Sequence, residues 1–229
     1  MQRYAPHYVA LAVALAALAG FVDALAFTTL GGFFASFMSG NTTRLGVGLG
    51  TGVFADAVTA AALVLSFVTG VMVSSIIARA VPGRAQPVVM AAVTLLLLAA
   101  AIFGALYPSA IVLTLLAMAM GAENGVFSED GEVTIGLTYM TGSLVRMGQR
   151  LAGALMGDAD RWSWLRYLAL WLGFLLGVVL GAAAQGALGW GALWIAPVAA
   201  AVMTGVVGMI GRTAPRRTGD APATVPAPE

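Results

Sequence analysis

The fold follows from a polar stretch, Ser36-Phe37-Met38-Ser39-Gly40-Asn41-Thr42-Thr43-Arg44-Leu45-Gly46, which lies inside a very apolar chain. A second stretch, Thr138 to Gly148, repeats it 102 residues later. Four of the eleven positions are identical and five more are conservative exchanges, so nine of the eleven agree. We interpret the two stretches as copies of one unit, which predicts a chain built from two internal repeats.

The composition around these stretches is that of a membrane protein. Hydrophobic residues make up 60% of the 229 residues, charged residues make up 9%, and the mean hydropathy is +0.94. Soluble domains carry about 25% charged residues. Apolar runs long enough to cross the roughly 30 Å hydrocarbon core as helices recur along the chain. These features predict an all-α polytopic membrane protein.

Residue types that are rare or missing exclude several kinds of site. The chain has no Cys, which excludes disulfides and Cys-ligated metals, and its single His is His7, near the N-terminus. We therefore predict no metal, no cofactor and no enzymatic activity. The formal net charge of +1 gives no reason to expect a nucleic-acid partner.

The duplication extends outward from the polar stretches. Gly20–Ala24 corresponds to Gly121–Gly125, and a later long apolar run shares the pattern Phe-x-x-Gly-Val at Phe67 and Phe174. We predict a single membrane domain over residues 1–211, with repeat one at about 8–106 and repeat two at about 110–211. Residues 212–229 are rich in Pro, Thr and Ala, and we predict a disordered cytoplasmic tail there.

Two topologies fit the polar stretches. If these stretches are broken or re-entrant and do not cross, each repeat has three spanning helices, and the six-span protein is an inverted repeat. If they do cross, there are eight spans and parallel repeats, which puts Arg79 and Arg84 outside. With the N-terminus inside, the six-span form places the flanking arginines on the cytoplasmic side, so we prefer it. These arginines are Arg3, Arg79, Arg84, Arg161, Arg166, Arg212, Arg216 and Arg217.

The candidate binding residues lie in and just before the repeated stretches. A Gly beside Ser or Thr can break a helix and leave N–H groups free for a ligand, whereas the alternative is close packing of two helices. An Arg at membrane depth needs a partner. We therefore expect the two acids upstream, Asp23 and Glu123, to form ion pairs with Arg44 and Arg146, one acid with each arginine. The alternatives are a purely structural ion-pair network and snorkelling to lipid headgroups. The candidates are Asp23, Ser39, Gly40, Asn41, Thr42, Arg44, Glu123, Asn124, Thr141, Gly142, Ser143 and Arg146.

Several of these motifs together resemble a known family. Gly20-Phe21-Val22-Asp23-Ala24, Met38-Ser39-Gly40-Asn41-Thr42 and Thr138 to Arg146 resemble the YoaK family of bacterial inner-membrane proteins. The resemblance covers about residues 8–211 and implies a multi-pass protein of the bacterial inner membrane. Members often carry Gln and Asn in the Gly121–Asn124 region, where Glu123 adds a charge in this chain. The resemblance implies no substrate, because the family is of unknown function.

The functional hypothesis is a small-solute or ion transporter, or a channel-like protein, with a central polar site where the repeats meet. The alternative is a membrane scaffold, lipid-binding or stress-related partner protein that transports nothing. The predicted partners are membrane lipids and a small-molecule or ion substrate. The sequence is also compatible with a homo-oligomer. A transporter predicts a cavity lined by the paired motifs, whereas a scaffold predicts motifs that are dry and mutually satisfied.

Overall fold

Eight α-helices form the protein in a computed structural model that describes residues 6–29, 31–129, 132–133, 136–158 and 160–213. The helices are α1 Pro6–Thr29, α2 Met38–Thr51, α3 Phe54–Ala80, α4 Ala85–Leu106, α5 Ala110–Glu123, α6 Met140–Met156, α7 Trp164–Leu188 and α8 Ile195–Thr213. Two 3-10 segments, Asn124–Phe127 and Gly189–Trp194, and a two-residue strand pair, β1 Ser128–Glu129 and β2 Glu132–Val133, complete the described chain. The order of helices is the same in both halves, and the predicted all-α class is confirmed.

Six of the helices lie in stretches that have the length and hydropathy of membrane spans. Among the described residues, five stretches qualify, and the last, Trp164–Met209, contains both α7 and α8. Helix α5 qualifies together with the 3-10 segment that continues it to Phe127, whereas α2, with 14 residues, and α6, with 17, do not qualify. At about 1.5 Å per residue, these two are shorter than the roughly 30 Å hydrocarbon core. The polar stretches therefore form short helices that do not qualify as membrane spans by length and hydropathy.

The relative direction of α4 and α8 separates the two topologies. The Thr94 and Thr204 hydroxyls lie 3.1 Å apart, while Gly104 lies against Leu193, so residue numbers fall along one segment as they rise along the other. Eight alternating spans would make α4 and α8 parallel, whereas six make them antiparallel. This geometry fits the six-span inverted repeat.

The first helix of each half packs on the third helix of the other half. Along α1 and α7, successive contacts run in the same direction: Gly173 meets Val13, Gly177 meets Ala17 and Gly181 meets Phe21. The pair α3 and α5 repeats this arrangement, with Gly70 against Met118 and Ser74 against Gly125. At Gly177 and Gly70 a Cβ atom would collide with the carbonyl oxygen of the facing helix. Small residues thus allow backbone contact between halves.

The centre of the bundle is formed by α1 and α5. In an 18-residue apolar stretch of each helix, 72% of the residues of α1 and 67% of those of α5 are buried. The corresponding fraction for α3 is 22%. Many large apolar side chains of α3, including Val58, Leu65 and Ile76, are exposed. Exposed side chains of this kind suit contact with lipid tails, so α3 lies at the periphery.

The C-terminal end differs slightly from the prediction. The last helix continues to Thr213, two residues into the segment predicted to be a disordered tail. The remaining residues of that segment, 214–229, lie outside the described residues, and so does the N-terminal Arg3.

Candidate functional site

The first polar stretch begins with a loop that folds back to Asp23. The Asp23 Oδ1 atom accepts hydrogen bonds from the backbone N–H groups of Ala35 (2.8 Å) and Ser36 (2.6 Å), and Oδ2 accepts one from Ser36 Oγ (2.7 Å). Asp23 precedes the end of α1 by six residues, or about 9 Å along the helix axis. The loop therefore re-enters the bundle. We call Asp23, Ala35 and Ser36 the first clasp.

The second repeat has an equivalent clasp in which an amide replaces the acid. Thr138 Oγ1 donates a hydrogen bond to Asn124 Oδ1 (3.3 Å), and Asn124 Nδ2 donates one to the Met120 carbonyl (3.0 Å). Thr138 occupies the repeat position of Ser36. Asn124 and Thr138 are both buried, and we call this pair the second clasp.

The second clasp corrects how the sequence analysis matched the two acids. The sequence analysis treats Asp23 and Glu123 as the two acids that lie upstream of the arginines, one in each repeat. The clasps make Asn124 the counterpart of Asp23, and the Gly20–Gly121 register then sets Glu123 against the buried Val22. Glu123 is thus an additional charge of this chain's second repeat.

Asn41 fastens the re-entrant loop to α2. Its Nδ2 donates to the Phe34 carbonyl (2.7 Å), and its Oδ1 accepts from the Phe34 N–H (3.1 Å). The side chain is fully buried, and these two bonds satisfy the backbone groups of a non-helical residue. Ser143 holds the equivalent position in α6 and is also buried. The geometry gives Asn41 a structural role.

Arg44 does not pair with Asp23, contrary to the prediction. Its Nη2 donates to Asp56 Oδ2 (3.1 Å) and its Nη1 to the Gly32 carbonyl (2.8 Å). The guanidinium carbon also lies 4.0 Å from the centroid of the Phe33 ring. Because α2 and α3 form a hairpin, Asp56 in the first turn of α3 comes within reach of α2. Arg146, at the equivalent position of α6, is exposed.

We expect Asp56→Asn to lower the free energy of unfolding only slightly, by about 1 kcal/mol or less, because both partners are partly exposed. The exposed fractions are 31% for Arg44 and 45% for Asp56. Arg44→Ala should cost more, about 1–2 kcal/mol, since it also removes the Gly32 hydrogen bond and the Phe33 contact. A double-mutant cycle in detergent measures both. If the two single variants lost the same amount of unfolding free energy, the Gly32 hydrogen bond and the Phe33 contact of Arg44 would contribute nothing, contrary to this prediction.

The glycines of the polar stretches do not mark the chain breaks. Gly40 and Gly142 lie in the first turns of α2 and α6, and the irregular segments come before those helices. At Gly40 the missing Cβ leaves room for the Phe37 ring, whereas a Cβ at Gly142 would make only an ordinary contact with Tyr139. The candidates Ser39, Thr42 and Thr141 are exposed, and Thr42 Oγ1 donates to the Met38 carbonyl (2.8 Å). The structure therefore does not gather all the candidates at one centre.

A cavity of about 670 Å³ joins the two clasps. Asp23 and Ser36 of the first clasp and Thr138 of the second clasp line it. The other lining residues are Ala24, Phe27, Thr28, Phe34, Phe37, Met140, Phe174, Val178 and Ala182. The sequence analysis missed the phenylalanines, although their grouping at 27, 34 and 37 beside the polar motif was visible. Paired motifs from both repeats thus face one cavity.

The corresponding region of the second repeat is closed. Every residue from Gly121 to Phe127 is buried. Within the described residues, Glu123 is fully buried and neither of its carboxyl oxygens has a hydrogen-bond partner. Asp23 lies within electrostatic reach of it. The two halves therefore differ, since the first clasp faces a cavity and the second repeat's acid is enclosed.

The helices around the clasps show the same asymmetry. Helix α4 packs along α5, whereas the equivalent pair, α8 and α1, leaves an apolar cavity of about 410 Å³ between them and α7. Its lining includes Leu18, Gly177 and Met203. The two repeats thus share one fold but occupy different positions relative to the rest of the bundle.

The fold and the paired clasps define a polytopic helical membrane protein built as an inverted repeat around a two-sided polar site. The chain belongs to the family described as "Protein of unknown function (DUF1275)", which matches residues 11–206. It is 34% identical over 207 residues to the UPF0700 transmembrane protein RA0705 of Rhizobium meliloti (strain 1021). The aligned region covers 89% of this chain and 87% of that protein. No solved structure matches the chain.

These comparisons confirm the coarser part of the resemblance, namely an uncharacterised family of transmembrane proteins. The YoaK name itself stays a prediction.

Proposed function

We propose that the protein is a small-solute or ion transporter, or a channel-like protein, whose binding site is the cavity between the clasps. The observation that carries the proposal is that residues from both repeats, Asp23, Ser36 and Thr138, line one cavity. Transporters built from inverted repeats bind their substrates where the repeats meet, at interrupted helices. The short helices α2 and α6, each preceded by an irregular segment, are interruptions of this kind.

The difference between the two repeats supports alternating access. An inverted repeat whose halves exchange conformations opens first one side of its site and then the other. The cavity beside Asp23 and the closed region around Glu123 fit one end state of such an exchange. In the opposite state, the second repeat would open and the first would close.

The positions of the arginines support a location and an orientation for the protein. We propose the bacterial inner membrane as its location, with both termini cytoplasmic, because the flanking arginines then lie inside. Membrane lipids and a small molecule or ion would be its partners, a homo-oligomer stays open, and nucleic acid is not among them. The chemistry proposed is binding and passage, with no enzymatic step.

Single cysteines test whether the closed side opens. The chain has no Cys, so Thr28→Cys reports on the cavity and Ser74→Cys on the closed side, beside Gly125. We expect N-ethylmaleimide to label both variants in native membranes, with Ser74→Cys reacting more slowly because it must wait for the second repeat to open. The measurement is the labelling rate of each variant.

A third variant separates opening of the site from general loosening of the protein. Ala60→Cys lies on the same helix as Ser74, and both positions are fully buried. Ala60→Cys should stay unlabelled until the protein is denatured. A Ser74→Cys variant that is equally inert would contradict alternating access, and so would equal labelling at the two positions.

The alternative function, a scaffold or lipid-binding partner, has one observation in its favour. Both carboxylate oxygens of Asp23 have hydrogen-bond partners inside the protein, and the second clasp is also hydrogen-bonded. A site whose bonds are complete can simply hold the halves together. An inert Ser74→Cys variant would favour this alternative.

A further inference from the structure

The cavity between the clasps has an unusual combination of linings. Four phenyl rings, those of Phe27, Phe34, Phe37 and Phe174, line an almost wholly apolar space, and the Asp23 side chain also belongs to its lining. The oxygen-bearing residues Thr28, Ser36 and Thr138 complete its polar part. The following inference rests on the proposed function, because it concerns the substrate class of the same cavity.

Three of the rings form a continuous aromatic wall. The Phe27 and Phe34 ring centroids lie 5.3 Å apart with a tilt of 38°, and the Phe34 and Phe37 centroids lie 5.2 Å apart in an edge-to-face arrangement. Phe174 comes from α7, which belongs to the other repeat. Ring faces carry partial negative charge and attract cations that have lost their water. The wall therefore favours a positively charged ligand with apolar substituents.

The charge of the cavity points the same way. Among the described residues that line the cavity, Asp23 is the charged one, and Arg44 is engaged by Asp56, the Gly32 carbonyl and the Phe33 ring. The Asp23 carboxylate accepts three hydrogen bonds from Ala35 and Ser36, and the Phe37 backbone N–H also interacts with it. The lining thus brings a negative charge to an apolar space without bringing a positive one.

Other ligand classes fit the lining less well. An anion would meet the Asp23 charge without a cationic residue to offset it. A small inorganic cation such as Ca²⁺ takes about six to eight oxygen ligands, which a lining dominated by rings and aliphatic side chains does not offer. The volume of about 670 Å³ lies in the range of about 300–1,000 Å³ that is typical of pockets for drug-sized molecules.

We propose that this cavity binds a lipophilic organic cation, a monovalent ammonium or phosphonium with apolar substituents. Its charge would lie near the Asp23 carboxylate and the faces of the phenyl rings. The apolar substituents would occupy the rest of the space, against Val178, Ala182 and Met140. The specificity would come from charge and apolar area, since few directional groups face the cavity.

The test uses two probes of the same shape and opposite charge. Tetraphenylphosphonium and tetraphenylborate are titrated against the full-length protein in detergent, with empty micelles as the blank, and binding is measured by equilibrium dialysis. We expect the phosphonium to bind saturably and the borate to bind no more than it does to micelles. Equal saturable binding of both probes, or of neither, would overturn the proposal.

Matched variants locate the binding. Asp23→Asn and Asp56→Asn make the same change in net charge, and only the first lies in the cavity. We expect Asp23→Asn to weaken phosphonium binding about tenfold or more, and Asp56→Asn to leave it unchanged. Phe174→Leu, which leaves both clasps intact, should weaken it about threefold to tenfold by removing one ring face. Binding that ignores Asp23 and Phe174 would contradict the proposed site.

The two proposals fail in different ways. If Ser74→Cys becomes labelled but the phosphonium does not bind, the ligand class is wrong and alternating access stands. If the phosphonium binds in an Asp23-dependent manner but Ser74→Cys stays inert, the ligand class is right and transport is wrong.

Discussion

Replacing Gly177 with alanine is expected to push α1 away from α7 and to lower the free energy of unfolding by about 1–3 kcal/mol, the usual cost of overpacking a close contact. The added Cβ atom would collide with the Ala17 carbonyl oxygen, which belongs to a helix backbone and cannot turn aside as a flexible side chain can. Gly70→Ala should have a similar effect, because its Cβ atom would meet the Met118 carbonyl oxygen. Thermal unfolding of the purified protein in detergent measures both.

Gly186→Ala is the matched control for this prediction. Gly186 lies on the same helix as Gly177, and nothing would approach its Cβ atom. Alanine in an open helical position is favoured over glycine by about 0.5–1 kcal/mol, so this variant should be as stable as the native protein or more so. If Gly177→Ala and Gly186→Ala behaved alike, the backbone contact between the repeats would not be the one described.

Replacing Asp23 with alanine is expected to release the re-entrant loop. The change would leave the Ala35 and Ser36 N–H groups without an acceptor, and each unsatisfied buried group costs about 1–3 kcal/mol. We expect a fall in the unfolding midpoint together with faster maleimide labelling of a cysteine at Ala35, a position that is fully buried in the native protein.

Asp23→Asn tests what the clasp needs from this side chain. The amide Oδ1 can still accept both backbone hydrogen bonds, and Ser36 Oγ can accept one from the new Nδ2. The loss should therefore be clearly smaller than with alanine. Equal destabilisation by asparagine and alanine would contradict this explanation. It would mean that the negative charge of Asp23, and not the position of its acceptor atoms, holds the loop.

The sequence predicted the duplicated helical architecture well because the relevant signals are local. Long apolar runs indicate spanning helices wherever they occur, and the match between Ser36–Gly46 and Thr138–Gly148 identifies the repeat unit directly. The preference for six spans rested on the positions of Arg79 and Arg84. The antiparallel contact of Thr94 with Thr204 fits that preference through an independent observation.

The partners inside the site were harder to predict because they depend on tertiary contacts. Sequence shows that Arg44 needs a partner, but only the hairpin of α2 and α3 shows that Asp56 comes closer than Asp23. The register of Gly20–Ala24 with Gly121–Gly125 sets Asn124, and not Glu123, opposite Asp23. Glu123 drew attention through its charge, whereas the clasp geometry selects its neighbour Asn124.

The aromatic cavity was missed for a related reason. Phenylalanine is common in membrane helices, so its presence at 27, 34, 37 and 174 carries little information by itself. The rings share a cavity because the re-entrant loop folds back against α1 and because α7 packs on the same helix. Neither contact has a signature in local hydropathy.

The exchange of helices between the repeats also bears on how the protein is made. More than half of the chain lies between α1 and its partner α7, so α1 enters the membrane well before that partner is synthesised. Until then, the face of α1 around Gly20 must be covered by lipid or by the insertion machinery. The first half can reach its native packing only after α5 and α7 of the second half have been inserted, which places assembly of the bundle late in synthesis.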